Sequence, residues 1–160
     1  NVSFVASSVK ALNKKAEKQR EQIFIQIFNP TADLMAEDAY VTDGVRSGVA
    51  GNNGDEKKTN YGVKWLTGYK SGRVSDPQAV TDGQGNTIVL FERYGKNGNY
   101  KGVYCIVVDE NGKITKKAFR ITKKAQLNSC ETPVYLDGAV YWCGNNYSDA
   151  DELFVYKLEM

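Results

Sequence analysis

Two unbroken apolar runs separated by a short polar loop constrain this chain more than any other feature. Thr87-Ile88-Val89-Leu90-Phe91 and Gly102-Val103-Tyr104-Cys105-Ile106-Val107-Val108 are joined through a Gly/Asn-rich loop at Gly95–Asn99. Asp82-Gly83 stands before the first run and Asn111-Gly112 behind the second, the residues that accept positive φ cheaply in hairpin turns. Neither run alternates, so both faces of both strands must be covered. No helix-length segment separates them, which argues against a parallel α/β arrangement. The stretch Val80–Thr122 therefore reads as a four-stranded antiparallel meander buried on two sides.

The flanking chain has the same character. Asn1–Val9 is rich in β-branched residues and reads as a strand, and Ile23–Phe28 as a second, stopped by Asn29-Pro30. Between them Lys10–Gln22 is polar, with Val9, Leu12 and Ala16 at i, i+3 and i+7, and reads as a short surface helix or charged loop. Ala39-Tyr40-Val41 with its Thr42-Asp43-Gly44 turn, and Tyr61–Tyr69, read as two further strands. Thr132–Leu136 and Ala139–Cys143 form a hairpin around Asp137-Gly138. A polar loop over Gly144–Asp151 then leads to a last strand at Glu152–Leu158. The expected fold is a single all-β domain of antiparallel meanders over residues 1–160. Residues 1–38 supply N-terminal strands and the polar segment, and residues 39–160 blade-like repeats.

The repeat rests on internal markers. Val41-Thr42-Asp43-Gly44 recurs as Val80-Thr81-Asp82-Gly83, 39 residues on, and Gly62-Val63 as Gly102-Val103, 40 residues on. Leu136-Asp137-Gly138 continues the series after 55 residues. Pro77 and Pro133 stand ahead of a short strand, an Asp-Gly turn and a long apolar strand. This pattern resembles the blade of bacterial repeat β-propellers, and the resemblance implies a partial β-propeller of about three blades. A β-sandwich or irregular barrel is the alternative. About three blades are half a ring, so the chain is expected to act as a homodimer or as a piece of a larger propeller. The unbroken apolar run Leu153–Tyr156 needs a partner strand, from another chain or from Asn1–Val9.

Composition removes several chemistries. The chain has no histidine, so the commonest general base and metal ligand are missing. Three cysteines without close spacing cannot supply a zinc site, and no cofactor is expected. The odd count leaves a thiol unpaired. Cys105 sits in an apolar run, and a two-residue turn at Asp137-Gly138 would set Cys143 opposite Thr132, so a Cys130–Cys143 disulfide would need a bulge. The net charge of +2 implies no polyanionic partner, and the six bases of Lys113–Lys124 read as protection of an outer strand rather than a nucleic-acid contact. No run approaches the roughly 20 apolar residues of a membrane span.

Carboxylates for glycoside chemistry would be drawn from Asp43, Asp55, Asp76, Asp82 and Glu92, of which the Asp-Gly residues Asp43 and Asp82 read as turn residues. Amphipathic rings are the stronger signal, because ten tyrosines and two tryptophans outnumber six phenylalanines. The candidate ligand-binding residues are Asn52, Asn53 and Asp55 of the Gly48–Tyr61 loop together with Tyr61, Trp65, Tyr100, Trp142 and Tyr147. The expected function is a non-catalytic binding module of an exported or surface bacterial protein, taking a glycan or a protein. A carbohydrate-active propeller enzyme is the competing class.

Overall fold

The computed structural model describes residues 1–9, 20–31, 39–42, 62–129 and 131–160. Strands make up 62% of these residues, and none of them is helical in the α sense. Three antiparallel sheets form, of three, four and three strands, and they do not close into a barrel. The N-terminal sheet holds β1 (Val2–Val9), β2 (Glu21–Phe28) and β3 (Lys64–Trp65). The central sheet holds β4 (Arg73–Thr81), β5 (Thr87–Tyr94), β6 (Tyr100–Val108) and β7 (Ile114–Thr122), in chain order. The C-terminal sheet holds β8 (Val134–Leu136), β9 (Ala139–Asn146) and β10 (Asp149–Glu159), with β9 in the middle.

The central sheet is covered on both faces, which is why β5 and β6 do not alternate. Val89, Phe91, Ile106 and Val108 pack against Ile23, Ile25 and Ile27 of β2. Ile88, Leu90, Val103, Cys105 and Val107 pack against Val140 and Trp142 of β9. A strand that is apolar on both faces gains little discrimination against a one-residue slip from hydrophobic patterning. The loops supply the register instead. Asp82 Oδ1 accepts from the amides of Gln84 (2.8 Å) and Asn86 (3.0 Å). Asp109 Oδ1 does the same for Asn111 (3.0 Å) and Lys113 (2.9 Å).

These loops correct the expectation of tight turns at Asp82-Gly83 and Asn111-Gly112. Thr81 pairs with Thr87 and Val108 with Ile114, so each connection has five residues. Asp137-Gly138 is the two-residue turn expected, with both φ angles positive (49° and 79°) and Leu136 facing Ala139. Pro77 lies inside β4, not ahead of it. It is tolerated there because β4 is an edge strand and bulges between Ser75 and Gln78. Lys116, Lys117 and Arg120 are exposed along β7, the other edge.

Contacts between sheets set their relative direction. Ser3 Oγ lies 3.1 Å from Thr87 Oγ1, so β1 and β5 start at the same end. Gln22, at the start of β2, holds Tyr69, whose ring lies under the Arg93 guanidinium at the far end of β5. Hence β1 runs with β5, and β2 runs against it. In the C-terminal sheet the Ala125–Asn146 bridge and the Tyr100–Tyr147 stack bring the end of β9 to the end of β5, so β9 runs with β5. In direction β1 and β9 thus agree with β5, and β2 runs with β4, along which both β1 and β2 lie.

The strand expected at Ala39–Val41 and the described part of the one expected at Tyr61–Tyr69 prove to be one line along β2. Tyr40 bridges Phe28, Val41 N donates to Ile27 O (2.7 Å), and Leu66 N donates to Ile23 O (2.8 Å). The 40-residue marker fails for the same reason. Gly62 is beside Thr42 at the Gly112 end of the stack, whereas Gly102 opens β6 at the opposite end. The 55-residue step does join equivalent places, the first hairpins of two sheets that run alike. The surface helix or loop expected over Lys10–Gln22 lies outside the described residues except at 20–22, where β2 begins. Asn1–Val9 forms a hairpin with β2 and does not complete β10.

Candidate functional site

Four side chains from three connections form a continuous ladder at one end of the central sheet. Tyr94 ends β5 and Tyr100 opens β6; they are register partners with ring centroids 5.3 Å apart. The Arg73 guanidinium, at the start of β4, sits 4.1 Å above the Tyr94 ring. Gly72 allows this approach, since a Cβ there would collide with the Tyr94 carbonyl oxygen and its φ is +78°. On the other side Tyr147 stacks on Tyr100 at 4.2 Å and 14°. The polar loop expected over Gly144–Asp151 is in fact a tight turn, because β9 runs to Asn146 and β10 begins at Asp149. Tyr147 occupies its apex.

This turn is fastened to the segment that enters the C-terminal sheet. Tyr147 N donates to Lys124 O (2.6 Å) and Gln126 N to Asn145 O (2.8 Å). The Tyr100 hydroxyl donates to the Ala125 carbonyl. The Tyr100 ring is thus held at its hydroxyl and Tyr147 at its backbone, with the Tyr147 ring stacked on Tyr100 and 49% of the residue's surface in solvent. A stacked aromatic pair with one open face can take a flat apolar or C–H-rich surface with little loss of side-chain freedom.

Glu92 lies behind the ladder and is only 3% exposed. Its Oε2 accepts from the Tyr94 hydroxyl (2.6 Å) and its Oε1 from Leu127 N (2.9 Å). Burial raises its carboxyl above the ordinary carboxylate range, against the lowering effect of those two donors. The Tyr94 and Tyr100 phenols are also raised, first by burial and then by the Glu92 charge. Both carboxylate oxygens are engaged and screened from solvent, so Glu92 ties residue 127 to β5. Asp82, a second candidate carboxylate, is occupied within its own loop, and Asp76 sits at the β4 bulge with φ +50°. Asp43 and Asp55 lie outside the described residues.

Of the eight residues expected to bind ligand, the structure brings Tyr100 and Tyr147 together. Trp142 is 3% exposed and stacks on Tyr156 (5.4 Å) inside the second core, so it serves packing. Parity along β9 decides this, because Val140 and Trp142 share the face turned to the central sheet. Trp65 is on the far side of the stack, 5.5 Å from Phe24, and joins no part of the ladder. Asn52, Asn53, Asp55 and Tyr61 lie outside the described residues. Arg73 carried no sequence signal, since its role depends on a strand pairing that brings β4 beside the end of β5. Cys105 and Cys143 are free thiols, and Cys130 lies outside the described residues. Among the described residues no cluster of three potential ligands could hold a metal ion. No family model, curated protein or solved structure matches the chain.

Proposed function

We propose that this chain is a non-catalytic binding module built from consecutive β-propeller blades, with the Tyr100–Tyr147 platform as its contact surface for a carbohydrate. The half-exposed Tyr147 ring, stacked on Tyr100 at the apex of a fastened turn, carries the reading. Sugar rings offer C–H faces that pack on an aromatic ring, and exposed Lys124, whose carbonyl holds the Tyr147 amide, stands next to it as a polar partner. The blade reading is supported by the direction of the C-terminal sheet, in which β9 runs with β5 behind an equivalent first hairpin. The engagement of Glu92 by Tyr94 and Leu127 favours binding over glycoside hydrolysis, which needs a carboxyl group open to substrate.

The exported or surface setting belongs to the same proposal, although with two free thiols neither described core depends on an oxidising compartment. A glycan array probed with the 160-residue protein tests the reading. Bound oligosaccharides should be lost with Tyr147→Ala and retained with Trp142→Phe. An empty array, or hits that survive Tyr147→Ala, would overturn it.

A further inference from the structure

Charge is divided between the two ends of the strands. The ladder end carries Lys70, Arg73, Lys96, Lys101, Lys123 and Lys124 in its connections and strand starts. The connections at the opposite end, residues 82–86, 109–113 and 137–138, carry Asp82, Asp109, Glu110 and Asp137 against Lys113. The net charge of +2 therefore conceals a basic end and an acidic end. Acids near the ladder are placed apart from its open side. Glu92 is enclosed beneath it, Asp76 lies at the β4 bulge, and Asp149, Asp151 and Glu152 belong to β10, beyond the Tyr147 turn. The ion pair found among the described residues, Lys157 to Glu159 (2.9 Å), involves none of the ladder-end bases. Three of those bases are tied to the ladder by contacts. Arg73 lies over Tyr94, and the Lys124 carbonyl holds the Tyr147 amide. Lys101 lays its side chain along Gly95, where a Cβ would come within 2.8 Å of Lys101 Cε.

We infer that the ligand of this ladder is an acidic polysaccharide, a chain of sugar rings bearing carboxylates, with one ring on the open face of Tyr147 and carboxylates at Lys124, Lys101 and Arg73. The inference rests on the carbohydrate reading given above and deepens it. Stacking on Tyr147 by itself discriminates little, since every sugar ring offers a C–H face. The neighbouring bases supply the discrimination, because bases without an internal partner raise the local concentration of an anion and reject a cation. Arg73 adds geometry. Its guanidinium is already held against the Tyr94 ring, and such a fork donates two parallel N–H bonds to one carboxylate. The contacts run from Arg73 through Tyr94 and Tyr100 to Tyr147, with ring spacings of 5.3 and 4.2 Å, so an oligomer is needed to engage both ends. The acids of β10 set its direction, from Tyr147 toward Arg73. A single-stranded nucleic acid would meet the same charge, but it stacks successive bases on successive open rings. Here the faces of Tyr94 and Tyr100 are taken by Arg73 and Tyr147.

Titration calorimetry on the 160-residue protein tests it with three probes: an oligogalacturonate, the same oligomer as its methyl ester, and an oligothymidylate of equal charge. The acid should bind at least about tenfold tighter than the ester, and the gap should close as salt is raised. Arg73→Met and Lys124→Met keep an unbranched apolar stem and lose the charge. Each should weaken the acid at least about fivefold and leave the ester unchanged. Lys117→Met, on exposed β7, should alter neither. Circular dichroism checks each fold, and Lys124→Met carries the test if Arg73→Met does not fold. Equal binding of acid and ester, oligothymidylate binding as tight as the acid, or Lys117→Met acting like Arg73→Met would each overturn the inference. Neutral glycans that bind through Tyr147 with no gain from carboxylates would sink this inference alone. Acid binding that survives Tyr147→Ala would sink the platform reading with it.

Discussion

Trp142→Phe sets two effects of similar size against each other. The indole is 3% exposed among Ile88, Leu90, Val103 and Val140, and its Nε1–H is buried with no hydrogen-bond partner. Replacing indole by phenyl removes about three heavy atoms from the core, which at about 0.8 kcal/mol per methylene equivalent costs roughly 2 kcal/mol. It also removes a buried donor whose desolvation costs about 1–3 kcal/mol. The two nearly cancel, and the stack on Tyr156 survives in the smaller ring. Urea unfolding should therefore give a change within about 1 kcal/mol of zero, whereas Trp142→Ala, which empties the site without a substitute ring, should cost about 3–5 kcal/mol. A loss above about 2 kcal/mol for Trp142→Phe would mean that the indole N–H is satisfied, and the reasoning would fail.

Two further outcomes follow from the titratable groups. Burial raises the Glu92 carboxyl, so between its ordinary value of 4.5 and the raised one the folded state binds more protons than the unfolded state. Stability from this group is thus complete at the acid end and falls as pH rises through that window. The difference in urea midpoint between wild type and Glu92→Gln should change with pH across that window and be flat outside it; parallel profiles throughout would refute the assignment. Burial pushes the Cys105 thiol up to about 12, while Cys143 is only half-buried. Brief alkylation of the native protein followed by peptide mapping should modify Cys143 and spare Cys105, and early labelling of Cys105 would contradict the described core.

Local chemistry made part of this fold legible. The unbroken runs at Thr87–Phe91 and Gly102–Val108 announced a sheet covered on both sides, and Asp137-Gly138 announced a two-residue hairpin. The lysines of β7 announced an edge. What failed were inferences that needed direction. Gly62-Val63, just ahead of β3, and Gly102-Val103, in β6, are the same residues at opposite ends of the stack, and composition carries no sign of that. The ring-bearing residues failed for a related reason. Trp142 and Tyr147 are five positions apart and equally amphipathic, yet one is enclosed and the other at the apex of a turn. The outcome depended on where β9 ends, which Gly144 and the Ala125–Asn146 bridge settle through contacts distant in sequence. Glu92 read as a candidate carboxylate for glycoside chemistry, and its engagement by the Leu127 amide, 35 residues away, is a contact that no local pattern shows.

The interrupted strand line of the N-terminal sheet bears on how this chain can vary. Residues 39–42 and 62–66 follow β2 in one direction, and the Thr42 hydroxyl donates to the Gly62 carbonyl across the break. Thr42 Oγ1 also accepts from Ile27 N (3.1 Å), so one buried hydroxyl holds both margins of the gap against β2. The 19 residues between, 43–61, begin and end on points already fixed by the sheet. A single buried side chain therefore clamps together two stretches 20 residues apart in sequence, and the register of β2 against both depends on that one hydroxyl.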